Sequence, residues 1–161
     1  MVLRKLQQKD AEYMLEWMHD SNVYSFFGRN FSSMTIQDCQ NFIENSLGHT
    51  EKSRNYAIVD ENDEYMGTIS LKNIEWKERR AEYAIACRTK AMGTGLSKAA
   101  TEELFLLASR ELNLQLIYLY VCASNIRAQR FYDKTGFQRV DKPDFIVDEM
   151  DDSLLWFQKE L

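Results

Sequence analysis

Apolar positions along this chain change period several times, and each change marks an element. Residues 2–6 read as a short strand, after which Asp10 opens a helix through Ala11, Met14, Leu15 and Met18 and stands where a cap is needed. Residues 22–31 (NVYSFFGRNF) form a glycine-containing aromatic loop. Thr35 then caps a second helix through Asp38, Phe42, Ile43 and Leu47, with Asp38 placed three residues on as a capping-box acid. Two β-rich runs, 55–59 and 65–71, flank the polar turn 60–64 and predict a hairpin. A strand at 81–87 leads into a glycine loop, and Leu96, Ala100, Leu104, Leu107 and Ala108 continue it as a helix to about Leu112. A strand at 115–122, a helix at 125–134, a strand from Phe137 and a last strand at 151–159 complete the order.

Strands followed by strand-helix crossovers predict an α+β (mixed α/β) fold, a twisted mixed sheet flanked by helices. Neither repeat nor Pro/Gly-rich linker interrupts the order, so residues 1–161 read as a single domain. Composition agrees, with 45% hydrophobic, 12% aromatic and 28% charged residues, the profile of a globular chain rather than a disordered one. The net charge of −5 and the lack of a basic run argue against nucleic acid as a partner. Cys39, Cys87 and Cys122 have no paired or metal-ligating spacing and read as reduced thiols, so no metal is expected. The start of the chain lacks a signal-like apolar run, and no apolar stretch reaches membrane-spanning length; a cytoplasmic location and no membrane partner are expected. His19 and His49 have no Ser/Asp partner at a triad spacing.

The chemistry begins at Lys90-Ala91-Met92-Gly93-Thr94-Gly95-Leu96-Ser97-Lys98. Two glycines let the turn tighten, and a helix start adds unpaired N–H donors and partial positive charge, which together make an anion cradle. A pyrophosphate suits it. The P-loop spacing is absent, and Lys98 occupies the place of the third glycine of a dinucleotide fingerprint. Some thirty residues on, the strand at 115–122 runs into Asn125-Ile126-Arg127-Ala128, then Phe131-Tyr132 and Gly136-Phe137.

A loop of the form (Arg/Gln)-x-x-Gly-x-(Gly/Ala) opening a helix, followed by strand, Asn-x-x-Ala, a short helix, (Phe/Tyr)-Tyr and Gly-Phe, resembles the GNAT family of N-acetyltransferases. The branch it resembles includes ribosomal-protein N-terminal enzymes and aminosugar and antibiotic enzymes. The order of elements matches that architecture over nearly the whole chain, including a mostly antiparallel central sheet. Lys90 departs from the pattern, because it replaces a residue whose arginine form offers a planar fork.

The resemblance implies acetyl-CoA as the acyl-donor cosubstrate and direct attack by a primary amine, with a small molecule or amino sugar as acceptor. A protein N-terminal or lysine amine is the alternative acceptor, and a non-catalytic acyl-CoA sensor is the alternative class. It assigns the pyrophosphate to Gly93, Thr94, Gly95, Leu96, Ser97 and Lys90, and the pantetheine arm to the strand carrying Ile85 and Cys87. Asn125 and Ala128 flank that arm, although Asn125 is also a helix cap by position. Arg127 and Arg130 face either the coenzyme phosphates or water. Tyr132 becomes the acid for the departing thiolate, its phenol pKa near 10 matched to a thiol near 8.5; its other role is a core aromatic. Glu82 becomes the base, or a water chain and an already deprotonated amine take that part, or Glu82 is a surface carboxylate paired with Arg79 or Arg80. Tyr24, Phe26, Phe27 and Arg29 are expected to line the acceptor site or to lid the core. The acidic run Asp141, Asp144, Asp148, Glu149, Asp151 and Asp152 would attract a cation or serve as a solvated edge. A homodimer is compatible with this class.

Overall fold

The computed structural model describes every residue except Phe26, Gly28, Arg29, Leu47 and Gly48. Its strands are β1 (Leu3–Lys5), β2 (Arg54–Val59), β3 (Tyr65–Glu75), β4 (Arg80–Cys87), β5 (Leu116–Cys122), β6 (Gln138–Val140) and β7 (Leu154–Glu160). The helices are α1 (Ala11–Met18), α2 (Ser21–Tyr24), α3 (Ile36–Ser46), α4 (Leu96–Arg110) and α5 (Ile126–Lys134). One seven-stranded sheet has the order β1-β2-β3-β4-β5-β7-β6, antiparallel throughout except for the parallel pair β4 and β5. This is the mixed, mostly antiparallel sheet expected.

Alternation along the strands builds two cores. One face gathers Ile58, Ile69, Leu71, Ala81, Tyr83, Ile117, Leu119 and Phe157 beneath Ala100, Leu104 and Ala108 of α4 and Tyr132 of α5. The opposite face carries Ala57, Val59 and Tyr65 under Met14, Trp17 and Met18 of α1 and Cys39 and Ile43 of α3. Leu104 is fully buried, which contributes roughly 1.5–3 kcal/mol relative to leaving it in water. Gly67 pairs with Cys87 across β3 and β4, and a Cβ there would come within 2.8 Å of Cys87 Sγ and 2.7 Å of Ala86 O. Glycine is what lets these two strands lie together at that register.

Local signals account for most boundaries. Thr35 and Asp38 form the expected reciprocal box, with Asp38 N–H donating to Thr35 Oγ1 at 3.2 Å and Thr35 N–H donating to Asp38 Oδ2 at 2.8 Å. Asp10 does stand at the start of α1, but its carboxylate accepts from Gln7 N–H at 2.8 Å and pairs with Arg4 at 2.8 Å instead of capping that helix. A buried acid takes the stronger charged partner. The segment read as loop from residue 22 begins with the helical turn α2, which Asp20 caps by accepting from Asn22 N–H at 3.0 Å. The hairpin's second strand runs on to Glu75, further than expected.

Candidate active site

β4 and β5 are paired only over Arg80–Glu82 and Leu116–Tyr118 among the described residues, yet β4 continues to Cys87 and β5 to Cys122. Beyond that point the two parallel strands part. The edge of β4 at residues 83–87 therefore has no β5 partner, which leaves backbone donors and acceptors free for an extended guest. On its other side, the same stretch remains fixed by β3, from Leu71↔Tyr83 to Gly67↔Cys87.

Both expected loops converge on this opening. After β4 the chain makes one 3-10 turn, Thr89–Ala91, and passes through Gly93 at φ +77° and Gly95 at φ +82° before α4 begins. A Cβ on either glycine would meet nothing within 4 Å, so open space lies before the loop. Thr94 folds back through N–H to Ala91 O at 3.3 Å, and Leu96 N–H donates to Thr94 Oγ1 at 3.3 Å. The remaining N–H groups of the first turn have no acceptor within the helix. Donors, positive dipole end and open space fit a pyrophosphate.

The first turns of α4 are locked to β4. Cys87 Sγ lies 3.3 Å from Ser97 Oγ, Tyr83 OH lies 2.8 Å from Thr101 Oγ1, and Thr101 Oγ1 donates to Ser97 O at 2.8 Å. Burial pushes the Cys87 thiol up to about 11. Lys90 Nζ pairs with Glu64 Oε2 at 2.8 Å, which raises its pKa and spends part of its charge on that carboxylate.

Across the opening stands α5. Asn125 caps it, its side chain accepting from Ala128 N–H at 3.2 Å, and Ala128 packs against the core. Arg127 reaches back over the glycine loop, Nη1 lying 2.9 Å from Met92 Sδ. One turn further, Tyr132 is buried among Tyr83, Phe131, Phe137 and Phe157, with ring centroids 5.6–6.0 Å away. Its hydroxyl finds no hydrogen-bond partner among the described residues, and burial, then the neighbouring Cys87, hold its pKa well above that of a free phenol. The phenol therefore keeps its proton.

Glu82 faces the other side of the sheet, since side chains alternate from Tyr83. Asn73 Nδ2 donates to its Oε1 at 3.1 Å, and Lys72 Nζ lies 3.3 Å from its Oε2. Arg79 and Arg80, its expected partners if it were a surface carboxylate, bond instead to Asn113 and Glu75. Tyr118 sits beside Glu82 in register; burial, then that carboxylate, push its phenol up to about 12. The parting strands thus separate a protonated phenol on one face from a carboxylate on the other.

The residues expected to line the acceptor site or to lid the core are only partly described. Tyr24 ends α2 half-buried, and Phe27 stacks edge-on with Trp17 at 5.8 Å and Phe31 at 6.0 Å. Phe26 and Arg29 lie outside the described residues. From the acidic run, Asp141, Glu149, Asp151 and Asp152 line a cavity of about 820 Å³ with Arg139, Lys142 and Trp156. That cavity lies along β6, the start of β7 and the loop between them, on the side of β7 away from β5, and no described residue of β4, β5, the glycine loop or α5 lines it. No helix is long and apolar enough to cross a membrane among the described residues.

Sequence reading alone missed Tyr83, Tyr118, Arg88 and Thr89. Tyr83 and Tyr118 read as ordinary strand aromatics. Arg88 ends an apolar strand, and its partners Glu16 and Glu64 lie 72 and 24 residues away, beyond any local pattern.

A splayed parallel pair with a glycine-loop anion cradle on one arm and a capped helix carrying a buried tyrosine on the other defines an acyl-coenzyme A transferase fold. The family model described as an acetyltransferase (GNAT) domain matches residues 1–138, and the chain belongs to that family. It is an acetyl-CoA-dependent N-acetyltransferase. Among characterised proteins it is similar to the spermidine N(1)-acetyltransferase of Vibrio cholerae, 25% identical over 138 residues, which span 85% of this chain and 78% of that one. The spermidine N(1)-acetyltransferase of Escherichia coli K12 is 26% identical over 135 residues, 84% of this chain and 71% of that protein. The solved structure of the Vibrio cholerae spermidine N-acetyltransferase in complex with CoA and spermine has the same fold, with a TM-score of 0.82 at 19% identity over 98% of this chain and 94% of that one.

Proposed function

We propose that the protein acetylates a primary amine of a small polycationic acceptor of the spermidine class, by direct attack on acetyl-CoA. The observation that carries this reading is the parting of β4 from β5, which gives a thioester access to both faces of the sheet at once. Bound acetyl-CoA supplies the activated acyl group. Gly93, Thr94, Gly95, Leu96 and Ser97 hold its pyrophosphate by backbone N–H groups, Lys90 and Arg127 add positive charge, and Ile85, Cys87, Asn125 and Ala128 line the arm.

Tyr132 protonates the departing thiolate. Burial keeps the hydroxyl protonated and no described residue competes for it, so a proton is there to give, although the same burial makes it a weaker acid than the free phenol near 10. Glu82 takes the ammonium proton from the opposite face, held by Lys72 and Asn73. The polycationic acceptor is supported by the names of the similar proteins, and the acidic residues Asp141, Glu149, Asp151 and Asp152 along β6 and β7 raise the local concentration of cations on that side of the molecule.

The test is thiol release from acetyl-CoA with spermidine, spermine, an amino sugar and a peptide with a free N-terminus, with product mass as confirmation. Preference for the polyamines is expected. Preference for the peptide would overturn the acceptor class, and thiol release with no amine would leave a coenzyme sensor.

A further inference from the structure

Of three consecutive residues between β4 and the glycine loop, Arg88 and Thr89 are tied to the opposite layer of the molecule and Lys90 to the turn between β2 and β3. The Arg88 side chain is 6% exposed and forks onto Glu16 of α1, with Nε at 2.7 Å and Nη2 at 3.2 Å from its two carboxylate oxygens. Its Nη1 donates to Glu64 Oε2 at 2.7 Å and to Tyr65 O at 2.9 Å, and the guanidinium lies 4.3 Å from the Tyr13 ring centroid. Thr89 Oγ1 donates to Asp20 Oδ2 at 2.7 Å, while the other oxygen of Asp20 caps α2. Lys90 joins Glu64 in the β2–β3 turn.

The glycine loop has few anchors of its own. Gly93 and Gly95 carry no side chain, and Thr94 bonds locally to Ala91. A cradle made of backbone N–H groups works only if those groups point at the anion before it arrives. We propose that Arg88 and Thr89 are positioning residues that set the loop from α1 and α2, so that coenzyme affinity depends on Glu16 and Asp20, which do not touch the coenzyme. This inference rests on the coenzyme reading of the loop given above. Arg88 is suited to the task because a planar fork fixes orientation as well as distance.

The experiment measures CoA binding by calorimetry and the KM for acetyl-CoA and for spermidine in the full-length protein. Its variants are Thr89→Val, Thr89→Ser and Glu16→Gln; Thr89 is exposed and Glu16 is half exposed, so neither change opens a cavity. Thr89→Val and Glu16→Gln are each expected to weaken CoA binding by about threefold to tenfold, the share of one charge-assisted hydrogen bond passed on to the loop. The KM for acetyl-CoA should rise with it, by more than the KM for spermidine or kcat changes, and Thr89→Ser should restore both. Parent-like CoA affinity in both variants, or equal losses in both substrates with no rescue by serine, would overturn the positioning role while leaving the coenzyme reading intact. Failure of the unmodified protein to bind CoA would instead remove the coenzyme reading itself.

Discussion

Arg127 Nη1 lies 2.9 Å from Met92 Sδ, so the helix on one arm of the splay touches the glycine loop on the other. A thioether is a weak acceptor, and a phosphate oxygen would outcompete it for that guanidinium. Arg127→Ala is expected to weaken CoA binding by about threefold to tenfold at low salt, and by less at 1 M salt, where screening shortens the reach of exposed charge to roughly 3 Å. Titration calorimetry at two ionic strengths measures this. Equal affinity of parent and variant at low salt would mean the side chain stays on Met92.

Tyr132→Phe removes a hydroxyl that bonds to no described residue and keeps the ring among Tyr83, Phe137 and Phe157. Folding stability should stay near that of the parent. Loss of the proton donor should lower kcat by about a hundredfold, the scale of general acid catalysis, with little change in KM for acetyl-CoA. Steady-state kinetics beside a melting curve separates the two effects. An unchanged kcat would return Tyr132 to the core.

Glu82→Gln keeps the shape beside Lys72 and Asn73 but cannot accept a proton. The expected loss in kcat/KM is about a hundredfold near neutral pH. It should shrink as the pH rises and the acceptor amine arrives already neutral, because the base is then no longer needed. A pH profile of parent and variant decides this; a constant ratio across the range would point to a structural role for Glu82.

The legible parts of this molecule were those whose cause is local. Gly93, Gly95, Thr35 with Asp38, and Asn125 before Ala128 each act within four residues, and each stands where the sequence placed it. Alternation predicted β4 and β5, but not that their pairing stops at Glu82 and Tyr118, since that depends on β7 taking the far side of β5. Asp10 looked like a helix cap until Arg4, folded against it, claimed the carboxylate. The ties of Arg88 to Glu16 and Glu64 exist only after two layers have closed on the sheet. Motifs and caps were therefore readable, and the long-range ties that hold them in place were not.

Gly95→Ala separates folding from binding at the loop. At φ +82° an L side chain is strained, at a cost of about 1 kcal/mol. Space for the methyl exists, since its Cβ meets nothing within 4 Å. The variant should fold and melt only a few degrees lower. That open space is where the pyrophosphate is proposed to lie, so CoA affinity should fall more steeply, by tenfold or about 1.4 kcal/mol. Calorimetry and thermal melting on the same preparation test this, and a loss of affinity no larger than the loss of stability would move the pyrophosphate off Gly95.

Alkaline stability should begin to fail at the buried thiols, Cys87 among them. Its residue is half-buried, but the sulfur lies between the sheet and Ser97, and burial pushes the thiol from 9.0 up to about 11. Between those values the unfolded chain has lost this proton and the folded one retains it. The unfolded state binds fewer protons there, so stability is complete below pH 9 and declines as pH rises towards 11. Tyr118, raised from 10.0 to about 12, extends the decline in the same direction. Burial raises the Cys39 thiol from 9.0 as well, so Cys87→Ala should shrink the first stage of the decline without abolishing it. Melting temperatures from pH 8 to 11 in roughly half-unit steps provide the measurement. A decline above pH 9 as large in Cys87→Ala as in the parent would place the alkaline sensitivity with Cys39 and the buried tyrosines instead.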